Sequence, residues 1–206
     1  MARFSLLPLP LLFLFLLGFN IAEADDIAGL RIGRVSVEEG NASLRPAGAE
    51  WSDVAVNDPV TAGMALRTAD KARAQLRVGA DTIALAPATR IEIGRLERGV
   101  TQIALPQGRI GIHLARIEPG GSVEIDLPRG GVWLLAPGDY EISAGDEKNP
   151  GRIVPLDGRA HIVAPGIDHT VAGGSAAMLK GPNDVTGDEI TAVLTRFLEV
   201  APWPVD

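Results

Sequence analysis

From Leu30 onward, apolar and polar residues alternate in short runs, and each run ends in glycine, proline, asparagine or aspartate. The clearest stretch is residues 105–144. Ile110, Ile112 and Leu114 alternate with Arg109, Gly111 and His113, and Val123, Ile125 and Leu127 alternate with Glu124 and Asp126. A period of two means half-buried strands, and the intervening Pro119-Gly120-Gly121 reads as a tight turn joining them. Val132-Trp133-Leu134-Leu135 is continuously apolar, which predicts a strand covered on both faces at the middle of a β core. Tyr140 and Ile142 then share one parity after Pro137-Gly138-Asp139.

The same grammar runs through the rest of the chain. Val35 and Val37 precede Gly40-Asn41, and Ala42 and Leu44 precede Pro46. Ala74, Leu76 and Val78 meet Ile83 and Leu85 across Gly79-Ala80-Asp81, a hairpin signal. Ile91 and Ile93 place Glu92 outward, and Gly99 separates Leu96 from Thr101, Ile103 and Leu105. Beyond the polar loop Gly145–Gly151 come Ile153-Val154, Ala160 with Ile162, Val171, and Met178-Leu179. Turn signals at such spacing predict an all-β fold, an antiparallel sandwich or β-roll of many short strands, with a regular solenoid second for lack of a strict repeat. Trp51 sits in a segment without period and reads as a lid over one end of the core. One helix is expected after this body. Thr186 and Glu189 form a capping box, and Ile190, Val193, Leu194, Phe197 and Leu198 follow on one face until Pro202.

The amino terminus changes the picture most. Arg3, an apolar run from Phe4 to Phe19, and Ala22-Glu23-Ala24 before Asp25-Asp26 read as a secretory leader cut after Ala24, with an uncleaved membrane anchor as the alternative. Domains are therefore expected at 1–24 (leader), 25–180 (β domain) and 181–206 (helix and tail). Loss of Arg3 and Glu23 leaves the net charge of −7 unchanged. An acidic chain with scattered basic residues is a poor partner for nucleic acid or anionic lipid. Absence of cysteine excludes disulfides, thiolate metal sites and a thiol nucleophile, and export without cysteine fits a bacterial periplasm. At 4% aromatics few rings are left for stacking ligands.

The pieces taken in order resemble the FecR-like periplasmic domain of bacteria. The matching residues are Gly33-Arg34-Val35 to Gly40, Trp51, Gly63 with Leu66 and Thr68, and Ala74, Leu76, Val78 and Gly79. They continue with Leu105, Gly108 and Ile110, with Ile125, Leu127, Pro128 and Gly130, with Pro137-Gly138-Asp139-Tyr140, and with Leu156, Gly158 and Ala160. The resemblance covers about residues 30–172 and implies an all-β extracytoplasmic domain with binding or sensory work and no catalysis. Well-known members are transmembrane regulators linking an outer-membrane iron-siderophore transporter to a cytoplasmic sigma factor. Nothing ahead of the leader matches their sigma-binding helices, so a stand-alone exported version is expected.

Candidate chemistry is sparse. Asp168-His169 with Ser175 offers triad residue types, His161 and His169 with a carboxylate offer metal ligands, and His113 lies far off in sequence. Glu124 and Asp126 share a strand face, as do Arg109 and His113. Paired carboxylates serve glycoside hydrolysis, whereas alternating charges also suit the wet face of a sheet. The reading that follows is a non-enzymatic binding, sensory or scaffold module. It has no catalytic residue, cofactor or metal, and it contacts an envelope protein or polymer through sheet edges or loops, with oligomers through an edge strand as one outcome. A carbohydrate-binding or carbohydrate-active β-roll is the alternative.

Overall fold

A computed structural model describes residues 29–180; the expected leader and carboxyl-terminal helix lie outside the described residues. The strands are, in chain order, β1 (Gly33–Glu39), β2 (Ala42–Arg45), β3 (Ser52–Asp53), β4 (Pro59–Val60), β5 (Ala65–Thr68) and β6 (Arg73–Val78). Next come β7 (Asp81–Leu85), β8 (Arg90–Glu97), β9 (Val100–Gln107), β10 (Arg109–Leu114), β11 (Ser122–Leu127) and β12 (Gly130–Leu134). The last are β13 (Gly138–Ser143), β14 (Gly151–Pro155), β15 (Arg159–Ala164), β16 (Ile167–Ala172) and β17 (Ala177–Leu179).

They form two sheets, one of eight strands in the order β17-β14-β13-β10-β7-β6-β1-β4 and one of nine in the order β16-β15-β12-β11-β9-β8-β5-β2-β3. From β5 on, the chain lays one or two strands in one sheet, crosses to the other, and advances steadily along both. Nearly every pair is antiparallel. The exception is β9 with β11, paired in parallel from Ser122↔Val100 to Asp126↔Ala104. Between them only β10 is placed in the opposite sheet, so the chain returns running the way it left. Pro119-Gly120-Gly121 is therefore part of a crossing between sheets and not the hairpin turn that the alternation suggested.

The inward residues form one cluster fed by both sheets. Leu66, Leu76, Leu85, Ile91, Ile93, Leu96, Ile103, Leu105, Ile110, Ile125, Tyr140 and Ile142 are its largest fully buried members. With Tyr140 the sole aromatic among them, aliphatic side chains fill the space, as the composition required. Each fully buried Leu or Ile contributes roughly 1.5–3 kcal/mol against its exposed state.

Two sequence expectations are corrected here. The run Val132–Leu135 is covered on one face only: Val132 and Leu134 are buried, Trp133 is half-buried and Leu135 is 44% exposed. Trp51 does not belong to the core cluster but lies on the outer face of the nine-stranded sheet.

Three of the positions behind the family resemblance, Thr68, Gly108 and Tyr140, hold corners together, with Thr89 as a further member. Thr68 and Thr89 are buried. The Thr68 hydroxyl donates to the Ala86 carbonyl at 2.6 Å and accepts from the Thr89 N–H at 3.1 Å, while the Thr89 hydroxyl accepts from the Arg109 N–H at 3.0 Å. Gly108, at φ +88°, packs against Thr89 where the chain leaves β9 for β10. At the other end of the molecule the Tyr140 hydroxyl donates to the Ala136 carbonyl at 2.5 Å and accepts from the Arg159 N–H at 3.2 Å, pinning the loop before β13 to the start of β15.

Candidate functional site on the nine-stranded sheet

With the inner faces committed to the core, chemistry is left to the outer faces, where cross-strand partners stand side by side. The outer face of the nine-stranded sheet carries two aromatic-centred groups. The first is built by β2, β5 and β8. Arg67 on β5 is the cross-strand partner of Arg90 on β8 and of Ser43 on β2, and Arg45 ends β2. Trp51, just before edge strand β3, lies among these arginines: the guanidinium carbons of Arg67, Arg45 and Arg90 stand 4.2, 4.8 and 5.8 Å from its ring centroid. A guanidinium laid on an indole gains from the ring's negative face and keeps its in-plane N–H groups for another acceptor. Arg90 pairs with Glu92 on its own strand, and its Nε is buried without a hydrogen-bond partner. Among the described residues, Arg45 and Arg67 form no ion pair within 4 Å.

The second group runs across β9, β11, β12, β15 and β16. One row places Gln102, Glu124, Trp133, His161 and Thr170 side by side. The Trp133 ring folds over Gly131, where an added Cβ would lie 2.6 Å from Cη2, so only glycine lets the indole rest there. His161 is tilted 49° against it at 6.3 Å between centroids, with Nδ1 3.2 Å from the Thr170 hydroxyl and Nε2 3.3 Å from Asp168 Oδ1. Gln102 Nε2 donates to Asp126 Oδ2 at 3.0 Å. Desolvation, and then the neighbouring Asp126 charge and hydrogen bond, raise the Glu124 carboxyl above the ordinary carboxylate range. Trp133, His161, Leu135, Val163 and residues 121–123 line a shallow cleft of about 400 Å³ beside this row.

The remaining sequence candidates are dispersed. Arg109 and His113 do share the outer face of the eight-stranded sheet, but each has its own carboxylate: Arg109 approaches Glu141 at 3.7 Å, which Arg152 meets at 3.3 Å, and His113 Nδ1 lies 2.7 Å from Asp139. His161 and His169 sit on opposite faces of the β15–β16 pair, since His169 faces Ile162 in register. Asp168 contacts His161 rather than His169, and Ser175 belongs to the turn after β16, its N–H donating to the Ala172 carbonyl. Among the described residues no group of three or more His, Cys, Asp or Glu is placed to hold a metal ion. A cleft of about 500 Å³ at one end of the molecule is lined by Arg31, Asp81, Arg98, Arg116 and Glu118. Its charges are already engaged, Arg31 with the Val78 carbonyl at 2.7 Å and Arg116 with Glu118 at 2.7 Å.

Sequence reasoning found Glu124 with Asp126 as one face but missed Gln102, the Trp133 platform and the arginines around Trp51. The parity of Trp133 with Gly131, one glycine two residues before an indole, was the available signal.

No family model matches the chain, and no curated protein does. Solved structures do. Two crystal structures of a "putative anti-sigma factor" from Parabacteroides distasonis superpose with a TM-score of 0.52 each, at 10% and 11% sequence identity. The match covers 58% of this chain and 56% and 55% of those chains. The fold is shared with them. The chain thus spans little more than half the length of these structural neighbours, and at that identity the likeness concerns architecture.

Proposed function

We propose that this chain is an exported, non-enzymatic FecR-like module with binding, sensory or scaffold work in the bacterial envelope, and that it meets its protein or polymer partner through the outer face of the nine-stranded sheet. The fold shared with anti-sigma-factor structures supports the regulatory sense of this reading. The observation that carries it is the Trp51 group. On a chain of net charge −7, three guanidinium groups converge on one half-buried indole, and two of them have no carboxylate within 4 Å among the described residues. Arginine and tryptophan in such an arrangement are the residue types that dominate recognition surfaces, and a basic spot on an acidic body steers an acidic partner to one place.

The test uses the chain from Asp25 onward as bait in envelope extracts at low and high salt, beside Arg45→Glu/Arg67→Glu. A specific partner retained by the parent chain, weakened by salt and lost from the double variant supports the reading. Identical capture by both chains, or no specific capture at any salt, overturns it.

A further inference from the structure

The second group on the same sheet points to a ligand class of its own. Trp133 offers the edge of a half-buried indole seated on Gly131. Leu135 at 44% and Val163 at 40% exposed add apolar surface at the cleft of about 400 Å³. The indole's cross-strand neighbours are polar on both sides, Glu124 on β11 and His161 on β15. Asp126 stands on the same face of β11 opposite Gly131, and Gln102, the partner of Glu124 on β9, donates to it. An apolar ring edged by carboxyl, amide and imidazole groups matches a molecule with one C–H-rich face and hydroxyls around its rim. Carboxylates accept hydroxyl protons, the Gln102 amide both donates and accepts, and the indole takes the apolar face. Glu124, Asp126 and Asp168 disfavour anionic ligands at this spot, which separates it from the arginine group around Trp51.

We propose that this strip binds a neutral or amino-sugar glycan, one sugar ring resting on Trp133 and adjacent hydroxyls held by Glu124, Asp126 and Gln102. The mode is binding rather than hydrolysis. Glu124 and Asp126 stand on one side of the indole, on the same strand, so they do not flank a bond lying over the ring as a hydrolytic pair would. The proposal deepens the binding-module reading by naming a ligand class for a second surface, and it rests on residues separate from Arg45 and Arg67.

The experiment titrates the chain from Asp25 onward with neutral, N-acetylated and uronic-acid tetrasaccharides, and separately with calcium, following indole fluorescence and backbone amide NMR shifts. Saturable binding of neutral or amino-sugar chains is expected, with shifts centred on β11, β12 and β15. Trp133→Ala is expected to weaken it about tenfold or more. Trp133→Phe is expected to retain part of the affinity, which also guards against misfolding of the alanine variant. Glu124→Gln/Asp126→Asn is expected to weaken binding, and Arg45→Glu/Arg67→Glu to leave it unchanged. Failure of every neutral and amino-sugar chain to bind at millimolar concentration overturns the proposal. Preference for uronic acids, calcium binding at these residues without sugar, or unaltered affinity in both Trp133 variants does so as well. Because the arginine variant is read separately, failure here leaves the partner reading to its own test.

Discussion

Tyr140 shows how much of this fold depends on single residues. Its ring is buried among aliphatic side chains, and its hydroxyl answers one backbone group in the turn from β12 into β13 and one at the start of β15. Tyr140→Phe keeps the ring and strands the Arg159 N–H and the Ala136 carbonyl, so a loss of about 1–3 kcal/mol is expected, read as a lower urea midpoint at unchanged slope. Gly158 packs on the same hydroxyl at φ +84°, and an added Cβ would lie 2.3 Å from it; Gly158→Ala is expected to cost at least as much. An unshifted midpoint in either variant would contradict the assignment. Glu124 gives a pH signature. Its carboxyl holds its proton more tightly in the fold than in the unfolded chain, chiefly through desolvation and then through Asp126. The penalty for charging it is therefore absent below the ordinary glutamate range and complete above its raised folded value. Glu124→Gln should stabilise the protein at pH 7 by at most about 0.5 kcal/mol for so open a site. The gain should vanish near about pH 4; a gain that persists there would contradict the sign.

Among the elements, the crossing from β9 to β10 is the most demanding. Gly108 takes a left-handed conformation and sits where a Cβ would approach Thr89 Oγ1 at 2.4 Å and its Cα at 2.5 Å. Gly108→Ala is therefore expected to destabilise by about 2 kcal/mol or more, combining backbone strain with displacement of a buried hydrogen-bonded threonine. A thermal midpoint within a degree or two of the parent would show that the corner has slack. Nearly every strand here was legible from its own alternation: Ala74, Leu76 and Val78 against Ile83 and Leu85, or Ile110, Ile112 and Leu114, bury as their parity requires. Sheet membership was not legible, because period two says which face is inward but not which of two sheets a strand joins. So β10 and β11 read as a hairpin and lie in different sheets. Trp133 and Leu135 read as core because a continuous apolar run does not reveal which side stays uncovered. Trp51 and its arginines could not be read at all, since β2, β5 and β8 are brought side by side only by the register.

For the molecule as a whole, two facing sheets with a steadily advancing chain leave four edges. Strands β3 and β4 are two residues long and β17 is three, too short to template another chain, and β16 presents Asp168, His169 and Thr170. Short or polar edges discourage pairing between copies. The chain from Asp25 onward is therefore expected to be monomeric in light scattering, and a mass of twice the monomer would contradict this and support pairing through an edge strand. Among the described residues no helix is long and apolar enough to cross a membrane, which leaves spanning by strands unaddressed. The division of labour proposed here is an aliphatic interior, corners held by Thr68, Thr89, Gly108 and Tyr140, and one outer sheet face to which recognition is assigned. That division is tested most directly by arginine-specific labelling read by mass spectrometry, with and without the partner captured from the envelope. Protection of Arg45 and Arg67 with unchanged labelling of Arg109 and Arg152 is the predicted result. Protection confined to Arg109 and Arg152, on the opposite sheet, would contradict it.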